Sequence, residues 1–87
     1  MVKQKVIVKN LSGLHLRPAG ELCKKAMNFK CAVHFRFYDT YANAKSVLSV
    51  LSACVKKGDE VEFVCEGEDE EEALRTIISA IENGLGE

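Results

Sequence analysis

The chain has 87 residues, 47% of them hydrophobic, which is enough for one compact domain over residues 1–87 and leaves no room for a second. Its 12 Lys and Arg residues balance 13 Asp and Glu residues, so the formal net charge of -1 gives no general attraction to nucleic acid or to an anionic membrane. No segment approaches the roughly 18 apolar residues of a membrane span, and the lysine-bearing N-terminus lacks a signal-peptide core, so the sequence predicts a cytoplasmic protein.

The first predicted elements are a strand and a helix. Val2, Val6 and Val8 share one phase of a period-two pattern, which indicates a strand over residues 1–9. Ser12 and Gly13 are turn formers, and Pro18 is tolerated in the first turn of a helix, so a helix is expected to begin near residue 16. The apolar stripe of this helix consists of Ala19, Leu22, Cys23, Ala26 and Met27.

Two further strands and a short one are predicted in the middle of the chain. Cys31, Val33, Phe35 and Phe37 alternate with more polar residues, and the same period returns at Val61, Phe63 and Cys65, where Val64 falls in the polar phase. Residues 39–44 are typical of a turn followed by a short strand.

Two more helices complete the predicted set. Ser46 is a favoured N-cap for a helix over residues 46–53, in which Val47, Val50, Leu51 and Cys54 are in helical register. Asp69 and Glu72 resemble a capping box before a strong apolar stripe, which consists of Ala73, Leu74, Ile77, Ile78 and Ile81.

The element order is therefore strand, helix, strand, strand, helix, strand, helix. By the rules of layer packing this order predicts an α+β open-faced sandwich, in which three helices cover one face of a four-stranded antiparallel sheet and the other face is solvated.

The cysteines Cys23, Cys31, Cys54 and Cys65 are expected to be free thiols, because a protein of the cytoplasm is in a reducing compartment. Burial is expected for Cys23, Cys31 and Cys65, which fall in the apolar phase of their elements. No C-x-x-C pair is present, so we expect no metal site and no cofactor. A thiol-based metal or redox module is the alternative from a different functional class, and zinc titration would expose it.

His15 is the principal candidate for chemistry. It directly precedes the first helix, where unpaired backbone N–H groups and the helix dipole favour an anion. The same field keeps the imidazole neutral, so a ring nitrogen can act as a nucleophile. Arg17 adds a permanent cation whose fork matches phosphate oxygens. By residue type alone, a histidine at this place is more often a cap or a surface residue, and His34, in the polar phase of its strand, is expected to be a surface residue.

Two segments carry a family resemblance. Residues 13–19 read GLHLRPA and resemble the active-site signature G-[IL]-H-A-R-P-A of the HPr family, the histidine-containing phosphocarriers of the phosphoenolpyruvate-dependent sugar phosphotransferase system. Residues 43–52 read NAKSVLSVLS and resemble the second signature, N-x-K-S-[IVL]-[ML]-x-[VL]-[ML]-S. The resemblance implies that His15 accepts a phosphoryl group from phospho-enzyme I, that Arg17 stabilises it, and that sugar-specific EIIA-type proteins receive it. Such a chain is a carrier protein rather than a stand-alone enzyme.

The resemblance also assigns a regulatory role to Ser46. In Gram-positive members the matching serine is phosphorylated by an ATP-dependent kinase, with a phosphorylase as its counterpart, and this creates a co-repressor for a catabolite-control transcription factor. The alternative function is therefore an HPr-like regulatory protein that acts mainly as a Ser46-phosphorylated binding partner. Ser46 is also a favoured N-cap, which stabilises a helix by roughly 1 kcal/mol relative to Ala, and this role is compatible with both functions.

Val47, Leu48 and Leu51 correspond to the family's apolar partner-docking patch, and a monomer is expected. Spacing alone places Val47 and Leu51 in the core and leaves Leu48 off the buried stripe. The sequence departs from the family pattern at Leu16, where Ala is usual, and at Gly20, where Thr or Ser is usual. Neither departure removes a group needed for phosphorylation.

Overall fold

A computed structural model describes residues 1–86, and its elements follow the predicted order. The four strands are β1 (Val2–Ile7), β2 (Ala32–Phe37), β3 (Thr40–Asn43) and β4 (Glu60–Glu66), and the three helices are α1 (Leu16–Ala26), α2 (Val47–Ser52) and α3 (Glu70–Glu82). The strands form one antiparallel sheet in the order β1-β4-β2-β3. The α+β open-faced sandwich is thus confirmed.

The register of the sheet places the predicted apolar phases on one face. Val6 pairs with Val61 across β1 and β4, and Phe35 pairs with Phe63 across β2 and β4. The rings of Phe35 and Phe63 lie 5.2 Å apart and are both fully buried. This row of side chains is the centre of the core.

The helices bury their predicted stripes against that face. Every residue of the α3 stripe is buried, and Leu22 of α1 and Val50 of α2 have no exposed surface. Pro18 lies in the first turn of α1, where a missing N–H removes no intrahelical bond. Burial of these apolar side chains is the main stabilising term of so small a domain.

The burial predictions for Met27 and Val64 were wrong, and so was the helical register of Cys54. Met27 caps the C-terminal end of α1 and is 62% exposed, because the helix ends before its side chain can reach the core. Cys54, which the sequence placed in the register of the helix, lies beyond the end of α2 in a left-handed conformation and is exposed. Val64 is buried although its phase is polar, since it lies in the central strand between Lys3 of β1 and His34 of β2.

The capping box predicted before α3 was also wrong. Asp69 occupies the N-cap position, but its side chain makes no capping bond. Its carboxylate accepts hydrogen bonds of 2.9 Å from the backbone N–H groups of Lys30 and Cys31. The side chain therefore connects the start of α3 to the residues that lead into β2, a contact between segments far apart in sequence.

Across residues 1–86, no helix is both long enough and apolar enough to cross a membrane. The same residues contain no group of three His, Cys, Asp or Glu side chains placed to hold a metal ion.

Candidate functional site

The turn that leads into α1 is held by a buried asparagine and a glycine. The Asn10 side-chain amide donates to the carbonyl of Gly13, whose N–H donates back to the Asn10 carbonyl at 3.1 Å. Gly13 has a φ of +63°, a left-handed conformation that glycine adopts at little cost. The next residue, Leu14, is buried and donates its N–H to the Val55 carbonyl at 3.0 Å. These hydrogen bonds consequently fix the backbone that leads into residue 15.

His15 is the N-cap residue of α1. Its backbone is extended, with φ of -76° and ψ of -174°, and its carbonyl accepts the first helical hydrogen bond from Ala19 at 2.8 Å. The imidazole makes no capping hydrogen bond and is exposed to solvent. The imidazole of His15 is therefore not engaged as a helix cap.

The first turn of α1 provides a positive local field beside His15. Leu16 and Arg17 occupy the first two helical positions, where the backbone N–H groups have no intrahelical acceptor, and the first turn contains no acidic residue. Within residues 1–86 the exposed Arg17 guanidinium forms no ion pair with a carboxylate. N–H groups, helix dipole and guanidinium together favour a phosphate-like anion at this place.

Ser46 is the N-cap of α2, as the sequence predicted. Its Oγ accepts a hydrogen bond of 3.2 Å from the Ser49 N–H, and its carbonyl accepts the first helical bond from Val50. The segment before it is also fixed, because the Ser49 Oγ accepts from the Asn43 N–H at 2.8 Å. Ser46 is half-buried, so its hydroxyl is engaged locally while part of the residue faces solvent.

The first turns of α1 and α2 expose apolar side chains. Leu48 is 77% exposed and Leu16 is 70% exposed. Val47 and Leu51, which spacing alone places in the core, are half-buried and pack against the core cluster. Helices α1 and α2 contact each other, and Leu16 directly follows His15 in the chain.

The cysteines of the three predicted apolar phases and His34 are the other side chains that the sequence singled out. Cys31 and Cys65 are buried as expected, whereas Cys23 is half-buried and its thiol donates to the Lys45 carbonyl at 3.1 Å. Burial raises the pKa of the Cys65 thiol to about 12 and also raises the pKa of Cys31. His34 is half-buried on the open face of the sheet, where its ring stacks on Tyr41 at 4.9 Å.

Comparison with known proteins matches residues 2–83 to the family model "PTS HPr component phosphorylation site". The chain belongs to the HPr family of phosphocarriers. The phosphocarrier protein HPr of Lysinibacillus sphaericus is 35% identical, and the alignment covers 100% of both chains. Among solved structures, HPr of Thermoanaerobacter tengcongensis superposes with a TM-score of 0.96 at 34% identity, over 100% of this chain and 98% of that one.

A second branch of the family is also similar. Crh of Bacillus subtilis, a catabolite repression HPr whose crystal structure is a domain-swapped dimer, is 36% identical with a TM-score of 0.78, and 97% of each chain is covered. HPr-family proteins work within the phosphotransferase system with enzyme I and EIIA-type partners.

Sequence reasoning missed one feature of the HPr site. Val55 and Lys56 lie directly against Gly13, which is more than 40 residues away in the chain. No local pattern in the sequence links this segment to Gly13, because the contact joins residues far apart in the chain.

Proposed function

We propose that this chain accepts a phosphoryl group from phospho-enzyme I on His15 and passes it to EIIA-type proteins of the phosphotransferase system. One observation carries the proposal. His15 holds the N-cap position of α1 with its imidazole exposed and free of a capping bond, beside N–H groups that have no intrahelical acceptor. The similarity to HPr proteins along the whole chain supports the same assignment.

Transfer is a displacement at phosphorus. A ring nitrogen of neutral His15 attacks the phosphorus atom, and the nitrogen–phosphorus bond forms as the bond to the donor atom of enzyme I breaks, leaving its electron pair on the donor. In the second transfer, the acceptor protein attacks the phosphorus atom. The nitrogen–phosphorus bond then breaks and the free imidazole of His15 is restored. The protein contributes mainly position and charge, as is usual for phosphoryl transfer.

Arg17 is the proposed phosphate-stabilising residue. Its guanidinium is exposed, permanently charged and two residues from His15, and its planar fork can donate two hydrogen bonds to phosphate oxygens. The phosphoryl group brings up to about two negative charges, which the first turn of α1 also favours.

The decisive experiment is phosphorylation with phosphoenolpyruvate and purified enzyme I, followed by intact-mass measurement and a test for acid-labile phosphate. His15→Ala is the matched control, and its folding is checked by circular dichroism. Phosphate on the wild type and none on the variant is the expected result. A folded wild type that acquires no phosphate, or a variant that still does, would refute the assignment of His15.

A second function rests on Ser46 and on the similarity to Crh. We propose that ATP-dependent phosphorylation of Ser46 converts the chain into a binding partner for a catabolite-control transcription factor. Added phosphate at the N-cap of α2 is compatible with the fold, because the N-terminus of a helix favours negative charge. Modification by a Ser46 kinase, compared with Ser46→Ala, tests this, and unchanged binding of the phosphorylated form to the transcription factor would refute it.

Val47, Leu48 and Leu51 are the proposed docking patch for enzyme I and the acceptors, with Leu48 as its exposed centre. We also propose that the protein works as a cytoplasmic monomer. Because Crh crystallises as a swapped dimer, light scattering after size-exclusion chromatography decides between the two oligomeric states. A mass of two chains would contradict the monomer.

A further inference from the structure

The loop that follows α2 lies against the turn before His15. A Cβ atom placed on Gly13 would lie 2.5 Å from the Val55 carbonyl oxygen and 2.7 Å from the Cα atom of Lys56. The Leu14 N–H also donates to the Val55 carbonyl at 3.0 Å. Gly13 and His15 are two residues apart, so their Cα atoms are separated by at most about 7 Å. The backbone of Lys56 is therefore a close neighbour of the segment that presents His15.

Two hydrogen bonds with Asp59 hold the backbone of Lys56 in this place. Its N–H donates to the Asp59 carboxylate at 2.8 Å, and its carbonyl accepts from the Asp59 N–H at 3.0 Å. The Lys56 side chain itself is exposed, and within residues 1–86 its ammonium forms no ion pair. A cation on a flexible four-carbon stem that begins at this fixed backbone can reach the neighbourhood of His15.

Arg17 alone does not balance the negative charge of a phosphoryl group on His15. The phosphoryl group brings up to about two negative charges, whereas Arg17 supplies one positive charge. We propose that Lys56 is a second phosphoryl-binding residue, whose ammonium pairs with the phosphate oxygens on His15. The inference rests on the proposed function of His15 and names one more residue of the same site.

The test is the titration of the phosphoryl group itself. A cation paired with the phosphate favours its dianion, so removing that cation raises the pH at which the phosphorus resonance titrates. The protein is kept phosphorylated by excess phosphoenolpyruvate and a trace of enzyme I. The 31P chemical shift is followed from roughly pH 5.5 to pH 9, a range that spans the second phosphate pKa of about 6. Lys56→Gln is compared with Lys57→Gln, which removes the same charge one residue away.

We expect Lys56→Gln to raise the titration midpoint by roughly 0.2 to 0.7 pH units, the range that corresponds to an exposed ion pair, and Lys57→Gln to leave it unchanged. Arg17→Gln serves as a positive control with a shift in the same direction.

Coincident curves for wild type and Lys56→Gln would overturn the inference while leaving the role of His15 intact. A slower reaction of Lys56→Gln with enzyme I, without a shifted midpoint, would assign Lys56 to partner docking and overturn the inference as well. Failure of the wild type to become phosphorylated would overturn the function of His15 and this inference together.

Discussion

Gly13 combines two properties at the residue scale that only glycine provides. Its φ of +63° is in the left-handed region, and its missing Cβ leaves room for the Val55 carbonyl. A side chain here would strain the backbone and push apart the two segments that support His15. The position of the proposed nucleophile thus depends on a residue that itself does no chemistry.

Gly13→Ala is expected to lower the free energy of unfolding by about 1–3 kcal/mol, because a strained conformation and a steric contact add together. Urea unfolding followed by circular dichroism measures the loss. The rate of phosphorylation by enzyme I should fall in the same variant, since the segment that carries His15 is displaced. Gly58→Ala is the control, because Gly58 also has a positive φ but has open space where a Cβ would be. Equal losses in the two variants would show that the contact with Val55 is unimportant.

The four thiols differ in their environment. Cys54 is exposed, whereas burial raises the pKa of Cys65 to about 12 from an ordinary value of 9.0. We expect an alkylating reagent at pH 8 to modify Cys54 rapidly and to modify Cys31 and Cys65 only after unfolding. Mass spectrometry of the labelled peptides tests this order.

The raised pKa of Cys65 also makes the stability of the fold depend on pH. Between pH 9 and 12 the unfolded chain releases the Cys65 proton while the folded chain retains it, so stability falls as pH rises through this window. The fall should be smaller in Cys65→Val, measured by thermal unfolding across the window. A wild type and variant with parallel profiles would contradict the assignment.

At the scale of the element, α1 contains a residue that weakens it. Gly20 lies in the helix interior with a normal φ, and nothing lies within 4 Å of where its Cβ would be. Glycine in such a position costs about 0.5–1 kcal/mol relative to alanine, because it loses more backbone entropy on folding.

Gly20→Ala is therefore expected to raise the free energy of unfolding by about 0.5–1 kcal/mol and to raise the melting temperature by several degrees. Chemical denaturation of both proteins under one set of conditions provides the comparison. Acceptance of phosphate on His15 should be retained, because the substitution touches neither His15 nor Arg17. A loss of stability would mean that the space beside Gly20 is filled in solution.

At the scale of the whole molecule, helices α1 and α2 contact each other and each present an exposed leucine, and a surface of this kind suits partner docking. Leu48→Ser is expected to change stability by less than about 0.5 kcal/mol, because the side chain is 77% exposed. The efficiency of phosphorylation by enzyme I should fall roughly five- to tenfold, as expected for truncation of an interface anchor worth at least about 1 kcal/mol. Steady-state kinetics with increasing carrier concentration measure it.

Tyr38→Ser is the control for that measurement. Tyr38 is 83% exposed in the turn between β2 and β3, so its loss also removes a large exposed side chain. An equal effect of both substitutions on the reaction with enzyme I would show that docking does not centre on Leu48.

The amino-acid sequence alone determined the features that depend on neighbouring residues. Alternation in β2, the stripe of α3 and the Ser46 cap are local signals, because side-chain direction follows the period of the element. The GLHLRPA segment is local too, so His15 and Arg17 could be recognised before any contact was known.

Tertiary structure decided the features that depend on register and on distant segments. The Asp69 carboxylate binds backbone N–H groups nearly 40 residues away instead of capping its own helix. Val64 is buried because it lies in a central strand. Lys56 lies beside Gly13 because β1 and β4 are antiparallel, so the segment after β1 meets the segment before β4. No period in the sequence encodes such pairings, since they arise only when the strands and helices have packed together.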